Sequence, residues 1–311
     1  MWDGLVEDKH LTRKGAFVTV VAGVLLVSAL LFLALGVVHR IEVQSDEAEY
    51  SDKVPSAPGY MDITMKVSSV DMNMGQIEIG MAVLPKGDLA NTEGAVTRDI
   101  EFAVVSYGVK ESGTMAVGEM GDTSAISDIM YGNVSNYPWD SHNVKFAIDV
   151  SSKDAAGHQV TVPSRIKLFG SIQGLDIDAK VQGTKTAGAR ELSITVTRST
   201  VTQVVVIFSI ILIWVLIVTV IAMVLHVSVF GHEMQTMMFA FFGTLLFAMT
   251  AFRNAMPGTP PMGVLSDYAG FFWGYVVAIV GIGILTVTWV RRLPRGEKHK
   301  DGSPPKENKT R

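Results

Sequence analysis

The sequence predicts an integral membrane protein of the α+β class. An extracytoplasmic antiparallel β-sandwich would be carried by four transmembrane helices, of which one precedes it in the chain and three follow it. The chain has 311 residues, a mean hydropathy of +0.32 and only 18% charged residues, which is too apolar for a soluble domain. Its apolar residues form four long blocks, and a region of alternating polarity lies between the first block and the second. This pattern excludes a soluble cytosolic enzyme, a disordered chain and a strongly basic nucleic-acid binder.

The first apolar block predicts a transmembrane helix at residues 16–38, after a cytoplasmic N-terminus at 1–15. Ala16 to Val38 is 23 residues without a charge, and about 20 apolar residues cross a bilayer as a helix. A cleaved signal peptide is the alternative interpretation. Its apolar region is usually about 7–15 residues long and ends at a small-x-small cleavage site. The block is longer and is followed by His39 and Arg40, which favours an uncleaved signal anchor.

The three later blocks predict transmembrane helices at residues 201–226, 236–253 and 269–290. The middle one is the shortest, and Arg253 follows its apolar run directly. Arginine at a helix end can extend its guanidinium to the membrane surface, which is compatible with a span. No Asp, Glu, Lys or Arg lies inside the apolar run of any block. Proton relays and ion pathways normally need such a group, so the spans themselves do not indicate a transporter.

The basic residues predict the orientation. They precede the first block and are concentrated in the tail at 291–311, so both termini are expected in the cytoplasm and residues 41–198 outside, in the plasma membrane. Residues 41–198 contain 22 acidic and 13 basic residues, which makes the outside acidic. The chain has no Cys, so disulfides and Cys-ligated metals are excluded.

Residues 59–200 predict the β-sandwich, after a looser segment at 39–58. Short runs there alternate apolar and polar residues, the pattern of half-buried strands. Thr123 to Met130 is interpreted as one short helical turn. The predicted strands are Met61–Val67, Gln76–Val83, Ile100–Val105, Val144–Val150, Gln159–Val162, Arg165–Leu168, Ile177–Val181 and Glu191–Thr197.

The run Tyr137-Pro138-Trp139-Asp140 is the first candidate interaction site. Proline restrains Tyr137 to an extended backbone, and Asp140 can accept hydrogen bonds from nearby backbone N–H groups. The rigid amphipathic loop has two interpretations. It is either a contact loop that packs on the membrane domain or a corner that closes the sandwich core.

The external loop at 254–268 is the second candidate. Its prolines and glycines predict a structured turn, and an ion pair between Arg253 and Asp267 would bracket it. It is interpreted either as a docking or re-entrant loop beneath the β-domain or as a rigid cap of a helical hairpin. With Arg198 at the junction of β-domain and helix, the candidate coupling residues here are Arg253, Asn254, Pro257, Gly258, Pro260, Pro261 and Asp267.

These motifs resemble a known family. The chain resembles the family known as domain of unknown function 4436 in the order of its elements. These are one span, a β-rich domain with Tyr137-Pro138-Trp139-Asp140, and Arg198-Ser199 at the second span. Its last shared motif here comprises Arg253-Asn254, Pro257-Gly258, Pro260-Pro261 and Gly263, and the likeness covers roughly residues 15–290. The resemblance implies the topology and a bacterial or fungal membrane location. It implies no catalytic residue and no substrate.

The residues indicate no catalytic, metal or cofactor site. His232-Glu233 looks like half of a zinc-protease helix, but Thr236 stands where the second His is needed. The leading hypothesis is a non-enzymatic membrane protein whose β-domain binds an envelope protein, lipid or glycan. The lipid bilayer is expected as a partner, and nucleic acid is not. One alternative is an oligomeric channel-like sensor that couples the β-domain to the spans. The other is a membrane enzyme of envelope lipid or polysaccharide metabolism, in which Asp140, His142 and Arg253 would converge.

Overall fold

The β-domain comes first among the described residues and three long helices follow it. The structure is a computed structural model that describes residues 48–107, 110–154, 156–183, 189–230, 235 and 237–292. Within these residues the chain is α+β, with two sheets before the helices. The predicted helix at 16–38, His232 with Glu233, and residues 293–311 of the basic tail lie outside the described residues.

The first sheet has five strands. They are β1 (Ala48–Ser51), β2 (Gly59–Asp71), β3 (Gln76–Gly87), β6 (Asp122–Ile129) and β10 (Ser164–Gly170). Their spatial order is β1-β10-β2-β3-β6. The pair β10–β2 is parallel, so the predicted all-antiparallel arrangement is wrong for this pair. A long crossover separates the two strands in the chain, so no hairpin turn forces them to be antiparallel.

The second sheet has seven strands. They are β4 (Ile100–Val105), β5 (Lys110–Met115), β7 (Tyr131–Gly132), β8 (Ser141–Lys153), β9 (Gln159–Thr161), β11 (Leu175–Gly183) and β12 (Arg190–Arg198). The main order is β11-β12-β8-β4-β5, and the short β7 and β9 also pair with β8. β12 is therefore an interior strand, hydrogen-bonded to β11 on one side and to β8 on the other.

Period-two alternation produces a shared core. Every second residue of β8 from His142 to Ser152 is buried, including Val144 and Phe146. Leu192 and Ile194 of β12 follow the same rule. Successive side chains of a strand point to opposite faces, so one face can be apolar throughout. Buried residues from both sheets belong to one hydrophobic cluster, to which the first sheet contributes Ile63.

All eight predicted runs lie in strands, although Gln159–Val162 extends one residue beyond β9. The interpretation of Thr123–Met130 as a helical turn is wrong, because these residues form most of β6, which pairs with β3. β6 is an edge strand in which only Ile126 and Asp128 are buried, so its alternation is faint. β1, at residues 48–51, lies in the segment interpreted as loose and pairs with β10.

The helices are α1 (Thr200–Ser228), α2 (Met237–Asn254) and α3 (Phe272–Arg292). A π-helical turn, Asp267–Phe271, leads directly into α3. By length and composition, these three helices of the described chain are able to cross a membrane. They coincide closely with the second, third and fourth predicted spans.

The chain divides into two compact units. Among the described residues the first comprises 48–210 with 254–269, and the second comprises 211–253 with 270–292. Within the second unit, Gly274 and Gly281 of α3 lie against Met249 and Phe242 of α2 so closely that a Cβ at either glycine would meet the facing side chain. Small residues at such positions allow helices to approach each other.

Candidate functional site

Arg198 and Asp140 form the centre of the candidate site in the first unit. The Nε of Arg198 lies 3.2 Å from both carboxylate oxygens of Asp140, and both side chains are buried. The register of β12 with β8 brings them together, because Thr197 is paired with Ser141. Asp140 directly precedes β8 and Arg198 ends β12, so the two side chains meet at the same end of the sheet. Asp140 thus accepts hydrogen bonds from the guanidinium of Arg198, whereas the sequence predicted nearby backbone N–H groups as its donors.

Tyr137 lies beneath the guanidinium. Its ring is fully buried, and the Cζ of Arg198 is 5.1 Å from the ring centroid, a cation–π distance. Its hydroxyl donates to the carbonyl oxygen of Pro257 at 2.7 Å. The Tyr137–Pro138 peptide bond is cis, Pro138 is buried, and Trp139 is exposed. The loop therefore contacts the 254–269 segment directly.

Gly258 fits against Arg198. Its φ is +70°, and a Cβ there would collide with Nη1 of Arg198. Asn73, in the β2–β3 turn, donates its amide N–H groups to the carbonyl oxygens of Gly258 at 3.0 Å and Thr259 at 3.2 Å. Three separate parts of the β-domain thus hold the Pro257–Thr259 segment.

The remaining predicted loop residues are more dispersed. Asp267 is buried and accepts a hydrogen bond from the backbone N–H of Gly263 at 2.8 Å. Pro260 is buried, whereas Pro261 and Asn254 are exposed. Arg253 is buried but belongs to the second unit, whereas Asp267 belongs to the first. The ion pair expected between them stays a prediction.

His142 adjoins the ion pair. It is buried, and its Nδ1 has no hydrogen-bond partner among the described residues. Burial lowers the pKa of His142 below its ordinary 6.5. The charge of Arg198 acts in the same direction and the carboxylate of Asp140 opposes them. The neutral imidazole is therefore the form that the folded domain favours.

A cavity of about 860 Å³ lies beside Arg198, and sequence reasoning missed it. All of its walls come from the first unit: the β2–β3 turn, the β10–β11 turn, the first turns of α1, and the Pro257–Thr259 segment. Ser199 caps α1 by accepting from the backbone N–H of Thr202 at 3.3 Å, and the Thr202 hydroxyl donates to the carbonyl oxygen of Gly174 at 3.2 Å. The Ser-x-x-Thr spacing before an apolar run was the available signal for this cap.

Among the residues that the structure describes, no cluster of three or more His, Asp or Glu side chains is able to hold a metal ion. Asp140 lies beside His142, but both of its carboxylate oxygens are engaged by Arg198.

Comparison with known families divides the chain near Arg198. Residues 51–200 match the family described as domain of unknown function (DUF4436). Residues 198–292 match a second family, described as domain of unknown function (DUF8686). The motifs from Arg253 to Gly263 therefore lie in the second match, whereas the resemblance drawn from the sequence assigned them to the first family. The search of curated proteins found no match to this chain.

Proposed function

Because residues 51–200 of this chain match the DUF4436 family, whose description assigns no activity, we propose the function from the chain's own residues. It is a non-enzymatic integral membrane protein of the plasma membrane. Its four spans hold an extracytoplasmic β-sandwich, and the sandwich binds a partner in the cell envelope, which is a protein, a lipid or a glycan. Both termini lie in the cytoplasm.

The direct connection between β12 and α1 carries this proposal. β12 ends at Arg198 and α1 begins at Thr200, so only Ser199 separates the domain from an apolar helix. The first turns of that helix belong to the same compact unit as the domain. A domain attached this way has almost no linker and stays close to its helix, which suits presentation of a binding surface rather than free diffusion of a tethered enzyme. The shared core of both sheets supports the sandwich assignment.

Photo-crosslinking in intact membranes tests the proposal. A photoreactive residue at the exposed Ser141, next to the Tyr137 loop, reports what touches that end of the domain. A second at the exposed Met120, beyond the start of β6, reports on the opposite end of the strands. We expect a reproducible crosslinked species other than the chain itself from at least one site. Folded, membrane-inserted variants that give none would contradict the proposal.

An oligomeric sensor is the second candidate function. The hydrogen bond from Tyr137 to Pro257 favours it, because this bond joins the β-domain to the segment between α2 and α3. A sensor would need a ring of subunits in the membrane. A purified chain that remains monomeric both in detergent and in nanodiscs would exclude this candidate and leave the first proposal intact.

A further inference from the structure

The cavity beside α1 has the size of a ligand site. Its volume of about 860 Å³ falls in the range of roughly 300–1,000 Å³ that is typical of small-molecule pockets. One wall is the start of α1, with Val201 and Val205, and the other walls are turns of the β-domain. A site built at the root of an apolar helix differs from a pocket on the outer surface of a sheet.

The length of α1 indicates the depth of this site, if the helix spans the bilayer as proposed above. Its 29 residues make a helix of about 44 Å, against a hydrocarbon core of about 30 Å. About nine residues therefore extend beyond the core. The segment 200–210 groups with the β-domain, which assigns the surplus to this end of the helix. The cavity then lies at the level of the lipid headgroups.

The wall becomes more apolar in the direction in which α1 runs. Ser199 and Thr202 line its start with hydroxyls that hydrogen-bond to each other and to the carbonyl oxygen of Gly174, and Val205 follows one turn later along the helix. Ile172 and Leu175 add apolar surface from the β10–β11 turn. A ligand with a polar head and an apolar tail fits this gradient, whereas a glycan would leave the apolar part of the wall without a complement.

The charged residues of the cavity wall indicate which polar head group the ligand carries. Arg198 and Asp71 are the charged residues of the wall. The charge of Arg198 is compensated by Asp140, and its buried Nη2 is out of reach of a ligand. Asp71 is exposed and forms no ion pair within the described part of the chain, and its Oδ1 accepts from the backbone N–H groups of Asn73 and Met74. The uncompensated charge is thus negative, which favours a cationic group and disfavours an anionic head.

We propose that this cavity binds one membrane phospholipid whose zwitterionic head carries a primary ammonium. The ammonium donates to the carboxylate of Asp71, the exposed amide of Gln173 donates to the phosphate, and the acyl chains begin along Val201 and Val205. This proposal rests on the proposed function and narrows its partner to a lipid.

Native mass spectrometry of the purified full chain tests the proposal. The protein is incubated in detergent with equal amounts of phosphatidylethanolamine, phosphatidylcholine and phosphatidylglycerol that have identical acyl chains. We expect one retained phosphatidylethanolamine, and we expect Asp71→Asn to lower its occupancy about fivefold, which corresponds to about 1 kcal/mol. The Asn amide oxygen still accepts both turn hydrogen bonds, so the turn should fold unchanged.

Two matched changes complete the test. Asp99 also accepts a backbone N–H, from Val117, at an exposed place away from the cavity, so Asp99→Asn should leave lipid retention unchanged. Val205→Trp should fill the cavity and lower the retention of all three lipids. Equal retention of the three lipids, or a phosphatidylethanolamine preference that survives Asp71→Asn, would overturn the proposal.

A soluble competitor separates the lipid from its free head. Excess phosphoethanolamine should not displace the lipid, because it lacks the acyl chains that contact α1. Displacement at comparable concentration would overturn the lipid assignment. Because this experiment uses defined lipids and purified protein, its failure would leave a protein or glycan caught by crosslinking in membranes unaffected.

Discussion

Arg198 and Asp140 face each other across the ends of two paired strands, with Nε of the arginine 3.2 Å from each carboxylate oxygen. The side chains are 4% and 0% exposed, so water screens this ion pair very little. The same arginine ends the last strand of the β-domain, one residue before α1. The position at which the two family matches meet is therefore also occupied by a buried, ion-paired charge.

Removing one member of this pair should strongly destabilise the β-domain. Asp140→Asn leaves a buried guanidinium without its counter-charge, which typically costs about 3–5 kcal/mol. We expect a clear decrease in the thermal unfolding temperature in detergent. The matched control is Lys145→Met, which breaks the exposed pair with Glu191 and should leave that temperature unchanged. Similar unfolding temperatures for the two variants would show that the buried pair contributes little.

Gly258→Ala should destabilise the first unit more than Gly263→Ala. Both glycines have positive φ, so either substitution introduces backbone strain of about 1–2 kcal/mol. Only at Gly258 does the new Cβ also meet Arg198, whereas at Gly263 no atom lies within 4 Å of it. The difference between the two unfolding temperatures isolates the steric part. A difference near zero would mean that the guanidinium can move aside at no cost.

The stability of the β-domain should decrease on mild acidification because of His142. Burial lowers its pKa, so the folded state binds fewer protons than the unfolded chain once the pH falls below about 6.5. Stability is therefore fully present above that pH and is lost progressively as the pH decreases toward the lowered value. His142→Phe should flatten the profile measured by chemical unfolding from about pH 7 to about pH 5. His158→Gln, a change of an exposed side chain, should retain the wild-type slope.

The proposed topology can be tested with single cysteines, since the chain contains none. An impermeant maleimide added to intact cells should label Asn91→Cys in the β-domain, and it should label Lys309→Cys in the tail only after the membrane is opened. Positive-inside asymmetry is the reason for this expectation. Labelling of the tail position in intact cells would show that the proposed orientation is wrong.

The strands with one buried face were predictable, whereas the edge strands β1, β5 and β6 were not. β8 and β12 alternate strictly because both are interior strands of the second sheet. β5, with the sequence Lys-Glu-Ser-Gly-Thr-Met, is an edge strand whose one buried residue is Met115, so no apolar period exists to detect. β6 is also an edge strand, and its weak apolar pattern led to its interpretation as a helical turn. Edge strands receive their conformation from the neighbouring strand rather than from their own side chains.

The site was only partly predictable, because its contacts are remote in sequence. Tyr137, Asp140, Arg198, Pro257 and Gly258 were all candidates, yet the pairing of Arg198 with Asp140 depends on the register of β8 with β12. Fifty-eight residues separate these two, and 120 separate Tyr137 from Pro257, so no local pattern reports either contact. The cavity depends on four such segments at once and leaves no periodic signal at all.

The single residue between β12 and α1 also determines how a pulling force on the helix is transmitted to the β-domain. Tension along α1 would reach β12 with almost no compliant chain between them. β12 is hydrogen-bonded on both sides, so a pull along its axis would shear two ladders together instead of unzipping one edge. β12 should therefore resist force better than β1, which is an edge strand paired only with β10, and pulling on the chain at both ends of the domain should detach β1 before it releases β12.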